Sequence, residues 1–193
     1  MMDIEHYNKN RGIYSPLIQT DGGMISGFWL VGNDYRNPSK YYGAYPPGYL
    51  KRLALLFPDP KIVLHLFSGM VEKGAWNPRP VREITCDCKE DLRPDVCENA
   101  EEIQRQFEPA TFDLILADPP YGNNFIKYNT FPINKRKIVK KCSNLLCEGG
   151  YLIWLDISIP IWAKIDGWRM AGAIGLIQST NHACRVITIL ERV

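Results

Sequence analysis

The run Phe112-Asp113-Leu114-Ile115-Leu116-Ala117, followed at once by Asp118-Pro119-Pro120-Tyr121, constrains this chain more than any other stretch. A short, almost wholly apolar run that ends in a turn signal reads as a strand buried on both faces. Such strands belong to parallel sheets covered by helices, and ligands there collect outside the carboxyl ends of the strands. Asp118 stands at that end. The two prolines lock φ and bring carbonyl acceptors without N–H donors, so the turn is stiff and presents acceptors only. Tyr121 adds a flat ring. A carboxylate, a fixed carbonyl and an aromatic face suit a planar ring bearing an exocyclic amine, whose hydrogens go to the acceptors while the ring stacks.

A second buried-strand pattern, Lys61-Ile62-Val63-Leu64-His65-Leu66, runs into Phe67-Ser68-Gly69, where glycine lets backbone approach a ligand closely. Val81 to Asp87 reads as a strand ending in a carboxylate. After the second strand of a doubly wound sheet, an acidic residue accepts hydrogen bonds from ribose hydroxyls, which makes Asp87 the candidate and Asp91 the fallback. Arg93 to Ile103 reads as a minimal third strand leading into a helix over Glu101 to Phe107, with Asn99 placed to cap it. Beyond the proline turn, Gly122 to Pro132 is a polar loop with Phe125, Tyr128 and Phe131, a candidate pocket wall. A helix from about Asn134 to Leu146 should stop at Gly149-Gly150. Tyr151 to Asp156 is the next strand, and Ile161 to Ile165 a short crossover helix. Gly172 to Gln178 and Cys184 to Glu191 form a terminal strand pair joined around Thr180-Asn181-His182.

At 193 residues and 46% hydrophobic content, the chain can bury one α/β core with little left for a second domain. Met1 to Gly23 is polar and aperiodic and reads as a flexible arm. Residues 24–193 then form a single domain, of which 24–50, rich in Gly, Tyr and Pro, is a lid or flank. A net charge of +2 and a pI near 8.2 do not by themselves mark a nucleic-acid binder. The clearest basic cluster, Asn134-Lys135-Arg136-Lys137 extended by Lys140-Lys141, opens the helix after the proline turn. Lys140 and Lys141 read as a solvated face, whereas Lys127, Lys135 and Arg136 near the mouth can neutralise phosphates.

Cys86-x-Cys88 with Cys97 nearby lacks the paired spacing of a structural zinc site, so no metal is expected. The six cysteines read as reduced thiols of a cytoplasmic protein, with no segment apolar enough to span a membrane. Of the three histidines, His6 falls in the arm, His65 in a strand and His182 in the terminal turn; none is needed as a base.

Asp-Pro-Pro-Tyr after an apolar strand resembles the catalytic motif of class I amino methyltransferases, which use S-adenosylmethionine to methylate the exocyclic nitrogen of adenine or cytosine. Phe67-Ser68-Gly69 is similar to their cofactor turn, although the family usually has an acidic residue at His65 and a second glycine at Val71. The resemblance covers about Tyr41 to Val193 and rests mainly on Ile62 to Gly69 and Phe112 to Tyr121. It implies a Rossmann-like fold with a mostly parallel seven-stranded sheet and a terminal antiparallel strand. It further implies cofactor contacts at Tyr45, Pro46, His65, Phe67, Ser68, Gly69, Asp87, Asn99, Ala100 and Asp118. Asp118, Pro119, Pro120 and Tyr121 would be catalytic, and Tyr121, Asn123, Phe125, Lys127, Lys135 and Arg136 would meet substrate.

In size and layout the chain is similar to compact methyltransferases of bacteriophage or mobile-element type. It has no stretch long enough for a separate target-recognition region, so it would read a short site through its loops, act as a homodimer or borrow a specificity partner. Adenine N6 in DNA is the first expectation. The alternatives are an exocyclic amine of RNA, such as guanine N2, and a degenerate module that binds nucleic acid without catalysis.

Overall fold

The structure is a computed structural model that describes residues 1–32, 45–122, 124–127, 130–179 and 183–193. Residues 33–44 of the expected lid or flank, Asn123, Tyr128 and the Thr180-Asn181-His182 turn lie outside the described residues. The elements are α1 (Ile4–Asn10), β1 (Leu17–Gln19), β2 (Ile25–Val31), α2 (Tyr49–Leu56), β3 (Ile62–Leu66), β4 (Arg82–Asp87), β5 (Val96–Cys97) and β6 (Phe112–Ala117). They continue with α3 (Asn124–Lys127), α4 (Lys135–Leu145), β7 (Leu146–Asp156), β8 (Trp168–Gln178) and β9 (Cys184–Arg192).

The strands make one sheet in the order β1-β2-β8-β9-β7-β6-β3-β4-β5. Pairings from β7 through β5 are parallel, β9 runs antiparallel to both β7 and β8, and β1 is antiparallel to β2. Successive side chains of the central strands enter opposite cores. Val63, Leu114, Leu116, Ile153 and Leu155 meet α2 on one face. Leu64, Leu66, Ile115, Ala117, Leu152 and Trp154 meet Ile138, Val139 and Cys142 of α4 on the other. This two-sided burial is why β3 and β6 are written as unbroken apolar runs.

Several sequence expectations are corrected. Among the described residues the sheet has nine strands rather than seven, because β1 and β2 extend it beyond β8. Residues 1–23 are not a free arm. Tyr7 is fully buried, stacks on Trp29 at 6.0 Å and donates to Ser15 O at 2.9 Å, while Asn8 brackets Leu17 through two hydrogen bonds. One aromatic and a few apolar residues anchor the segment without giving it a periodic signature. Gly149-Gly150 does not terminate a helix: α4 ends at Leu145 and the glycines, together with Cys147, lie within β7, where its register against β6 shifts. A Cβ on Gly150 would come within 2.9 Å of Cys147 O and 3.1 Å of Asp113 O, so the slip needs glycine there. The helices expected over Glu101–Phe107 and Ile161–Ile165 are 3₁₀ turns at Ala100–Arg105 and Lys164–Asp166.

The crossover from β3 to β4 carries no helix. Residues 67–81 cross as an irregular loop pinned by Trp76, whose buried indole N–H donates to Phe57 O at 2.8 Å. No described helix is long and apolar enough to cross a membrane. Among the described residues, no group of three metal-ligating side chains is placed to hold an ion.

Because Tyr7 fills the core under Trp29, Tyr7→Ala should cost about 3 kcal/mol, in the range for losing a buried aromatic. Urea unfolding measures it; an unchanged midpoint would mean that the segment does not belong to the core.

Candidate active site

The sheet reverses its winding between β3 and β6, which are adjacent and parallel. Leu66 pairs with Ala117, so Phe67 and Asp118 leave neighbouring strands at the same level. Leu66 also pairs with Cys86, and Asp87 with Cys97, which brings Asp87 and the residues after β5 to the same edge. On the other side Ala117 pairs with Trp154, setting Asp156 beside the proline turn. One rim thus gathers Phe67–Gly69, Asp87, Asn99, Asp118–Tyr121 and Asp156, at the position where doubly wound sheets hold ligands.

The turn after β3 is tied down by its neighbour. Ser68 N donates to Cys86 O at 3.0 Å and Gly69 N to Asp87 Oδ2 at 3.0 Å, while Lys89 N donates to Asp87 Oδ1 at 3.1 Å. Phe67 and Gly69 both take left-handed backbone, with φ of 57° and 53°. At Phe67 that conformation costs on the order of 1–3 kcal/mol, strain that the surrounding bonds must hold. The Ser68 hydroxyl is buried and has no hydrogen-bond partner among the described residues. Asn99 Oδ1 accepts from Glu101 N at 2.9 Å, the capping role read from sequence, and Ala100 is buried behind it.

His65 is fully buried, with Nε2 3.0 Å from Glu83 Oε1 and Nδ1 3.5 Å from the Tyr45 hydroxyl. Both ring nitrogens are engaged, as for a satisfied buried histidine. It supports Tyr45, which stacks on Tyr49 at 5.1 Å; Pro46 is buried next to it. Burial, then the charge of Asp118, raises the phenol pKa of Tyr45, and burial followed by Tyr45 and Asp118 raises that of Tyr49. The Tyr49 hydroxyl is buried without a partner among the described residues.

The charge of Asp118 is felt at both phenols. Burial pushes its carboxyl pKa up to about 7, and the charge of Asp156 adds to the rise. A hydrogen bond donated by the Tyr121 hydroxyl and the cation of Arg185 oppose it. Asp156, 1% exposed, is satisfied by Lys135 Nζ at 2.6 Å, Ile157 N at 2.7 Å and Trp154 Nε1 at 3.2 Å. Lys135, expected from the sequence to meet phosphate, is paired with Asp156 here. Arg136 and Lys127 are exposed and Phe125 is half-buried. Lys137, Lys140 and Lys141 pair with Glu101, Glu102 and Asp166, which makes that stretch of α4 an ion-pair face.

Sequence reasoning missed Tyr49, Glu83, Asp156 and Arg185. Asp156 carried a readable signal, a carboxylate closing an apolar strand, as Asp118 does. Arg185 opens the antiparallel β9 and so returns to this rim, its guanidinium 5.0 Å from the centre of the Tyr121 ring.

The sequence matches no family model and no curated protein. Solved structures do resemble it. TrmN from Thermus thermophilus aligns over 78% of this chain and 50% of its own, with a TM-score of 0.57 at 18% identity. The N-methyltransferase NodS from Bradyrhizobium japonicum, in complex with S-adenosyl-l-homocysteine, aligns over 74% of this chain and 83% of its own, with a TM-score of 0.52 at 12% identity. The 1,6-didemethyltoxoflavin-N1-methyltransferase of Burkholderia thailandensis gives a TM-score of 0.53 at 10% identity, over 76% of this chain and 80% of its own. The fold is that of class I S-adenosylmethionine-dependent methyltransferases. Against TrmN, the chain spans half of that protein's length.

The raised Asp118 pKa has a consequence for stability. Between the ordinary carboxyl value near 4 and about 7, the folded state holds a proton that the unfolded state has lost, so this group destabilises increasingly as pH rises. Asp118→Asn keeps the acceptor for Tyr121 and removes the charge. It should raise the thermal midpoint at pH 8, with the gain fading towards pH 4. A gain independent of pH would refute the assignment.

Proposed function

We propose that this protein is an S-adenosylmethionine-dependent methyltransferase acting on an exocyclic amine of a nucleobase, adenine N6 in DNA first. The observation that carries the reading is the in-register placement of Asp118-Pro119-Pro120-Tyr121 beside Phe67-Ser68-Gly69 at the switch point.

The residues present fit the cofactor. The hydroxyls of Ser68, in the turn after β3, and of Tyr49, against Tyr45, are buried without a partner among the described residues, and a buried hydroxyl left unpaired costs about 1–3 kcal/mol. Phe67 to Gly69 would hold the methionine part, Asp87 the ribose and Asn99 with Ala100 the adenine end. Tyr45 and Pro46 would close over the carboxyl end. When bound, S-adenosylmethionine supplies a methyl group on a sulfonium, an electrophile with a good leaving group.

The chain supplies alignment. Asp118 and the proline carbonyl accept the hydrogens of the target amine and aim its lone pair, and Tyr121 gives the base a stacking face. The proton leaves to Asp118 or to solvent. Holding the reactants in line provides most of the acceleration. Because Tyr121 donates to Asp118 in the resting site, the target amine takes over an acceptor that the tyrosine now occupies. The ionised carboxylate is the accepting form, so activity should rise with pH through about 7.

Asp118→Ala should abolish methyl transfer while leaving cofactor affinity, measured by calorimetry, close to the parent value. Tyr121→Ala should weaken capture of the base by about 1–3 kcal/mol. Nucleoside analysis of DNA and RNA from cells expressing the protein identifies the product. N6-methyladenine in DNA is expected; methyl groups found only in RNA or only on cytosine would reject adenine in DNA, and no transfer to either would reject the enzyme.

A further inference from the structure

We infer that Arg185 is the residue that selects a phosphate-bearing nucleotide over a free amine, by taking a backbone phosphate beside the target base; this rests on the proposed nucleobase reading. The electrostatics of the rim single it out. Of the described cations near the proline turn, Lys127 and Arg136 are exposed, and the two partly buried ones, Lys135 and Arg185, differ in their commitments. Lys135 is neutralised by Asp156 at 2.6 Å. Arg185 forms no ion pair among the described residues. The one side-chain hydrogen bond it donates there is a long one, 3.4 Å to Gln178 Oε1. A guanidinium has five N–H donors, so a half-buried arginine with a single weak bond retains a fork suited to a tetrahedral oxyanion.

Its position matches where a nucleotide would present that anion. The guanidinium carbon lies 5.0 Å from the centroid of Tyr121, the ring proposed to stack on the base. An adenine whose N6 points at Asp118 turns its opposite end, the glycosidic nitrogen, outward to the rim. Its sugar phosphate then emerges beside the start of β9, where Arg185 meets the end of β8 through its pairing with Leu176. A free base or a small amine brings no such charge and gains nothing from this contact. The basic residues of α4 fit the role less well: Lys137, Lys140 and Lys141 are paired with carboxylates, and exposed Arg136 has no contact with the Tyr121 ring among the described residues.

The test uses the full chain and a fluorescent single-stranded oligothymidine containing one adenine, with binding followed by anisotropy across a salt series. Each phosphate contact to a single strand contributes about 0.7 to the slope of log affinity against log salt. Arg185→Gln should lose about that amount while Arg185→Lys, which keeps the charge, loses less. Methylphosphonates flanking the adenine should lower the slope for the parent protein and have no further effect on Arg185→Gln. The methylphosphonate strand also decides the matter if Arg185→Gln does not fold. In methyl transfer, Arg185→Gln should raise KM for the strand more than KM for free adenosine, while any change in kcat from losing its charge beside Asp118 falls on both substrates alike. Parent-like slopes for Arg185→Gln, an undiminished slope for the methylphosphonate strand, or no strand binding at low salt would each overturn the role. Strands that bind in an Arg185-dependent way yet accept no methyl group would reject the proposed reaction and leave the phosphate contact standing.

Discussion

The pairing of β3 with β6 is the constraint on which the rest of the site depends. Leu66 opposite Ala117 puts a left-handed turn and a rigid acceptor turn side by side, although some fifty residues of sequence separate them. A slip of one residue would send Leu64 and Leu66 to the wrong core and move Phe67 out of level with Asp118. The register is therefore set by burial. Val63 and Leu116 belong to the α2 face and Leu64 and Ile115 to the α4 face, and neither set can be exchanged without exposing apolar surface on both sides. The Asp113 carboxylate adds a clamp at the entry to both strands by accepting from Lys61 N at 3.0 Å and Ile62 N at 2.7 Å.

Around that frame, the described ionisable side chains differ in how they are compensated. His65 with Glu83 and Lys135 with Asp156 place ionisable side chains close to the centre of the sheet, each with a partner. Asp118 has only a tyrosine hydroxyl and the field of Arg185 set against its burial, which leaves its carboxyl half-protonated near neutrality. The structural carboxylates have donors in contact on more than one side, Asp156 from Lys135, Ile157 N and Trp154, and Asp113 from the amides of Lys61 and Ile62. Under the proposed function, a carboxylate whose one side-chain donor among the described residues is Tyr121 can exchange that donor for an amine.

Parts of this site were legible from residue order alone. Asp118-Pro119-Pro120-Tyr121 and Phe67-Ser68-Gly69 announce themselves because an apolar run that ends abruptly in a turn is a local signal. The capping role of Asn99 is local too. The burial of Tyr7 was not legible, since an anchor of one aromatic ring leaves no period to read. Gly149-Gly150 misled because a glycine pair serves a helix stop and a strand bulge equally well, and the choice depends on Asp113 O in the neighbouring strand.

What the sequence determined by itself was the class of architecture, the position of the proline turn at a strand end, and the acceptor-only chemistry of that turn. All of these follow from side-chain periodicity and from the covalent nature of proline. What only the tertiary structure decided was which charges meet. Lys135 faces Asp156 from α4, His65 is closed off by Tyr45 and Glu83, and Arg185 returns to the rim because β9 runs antiparallel. Electrostatic partnership depends on distance in space, and the sequence records distance only along the chain.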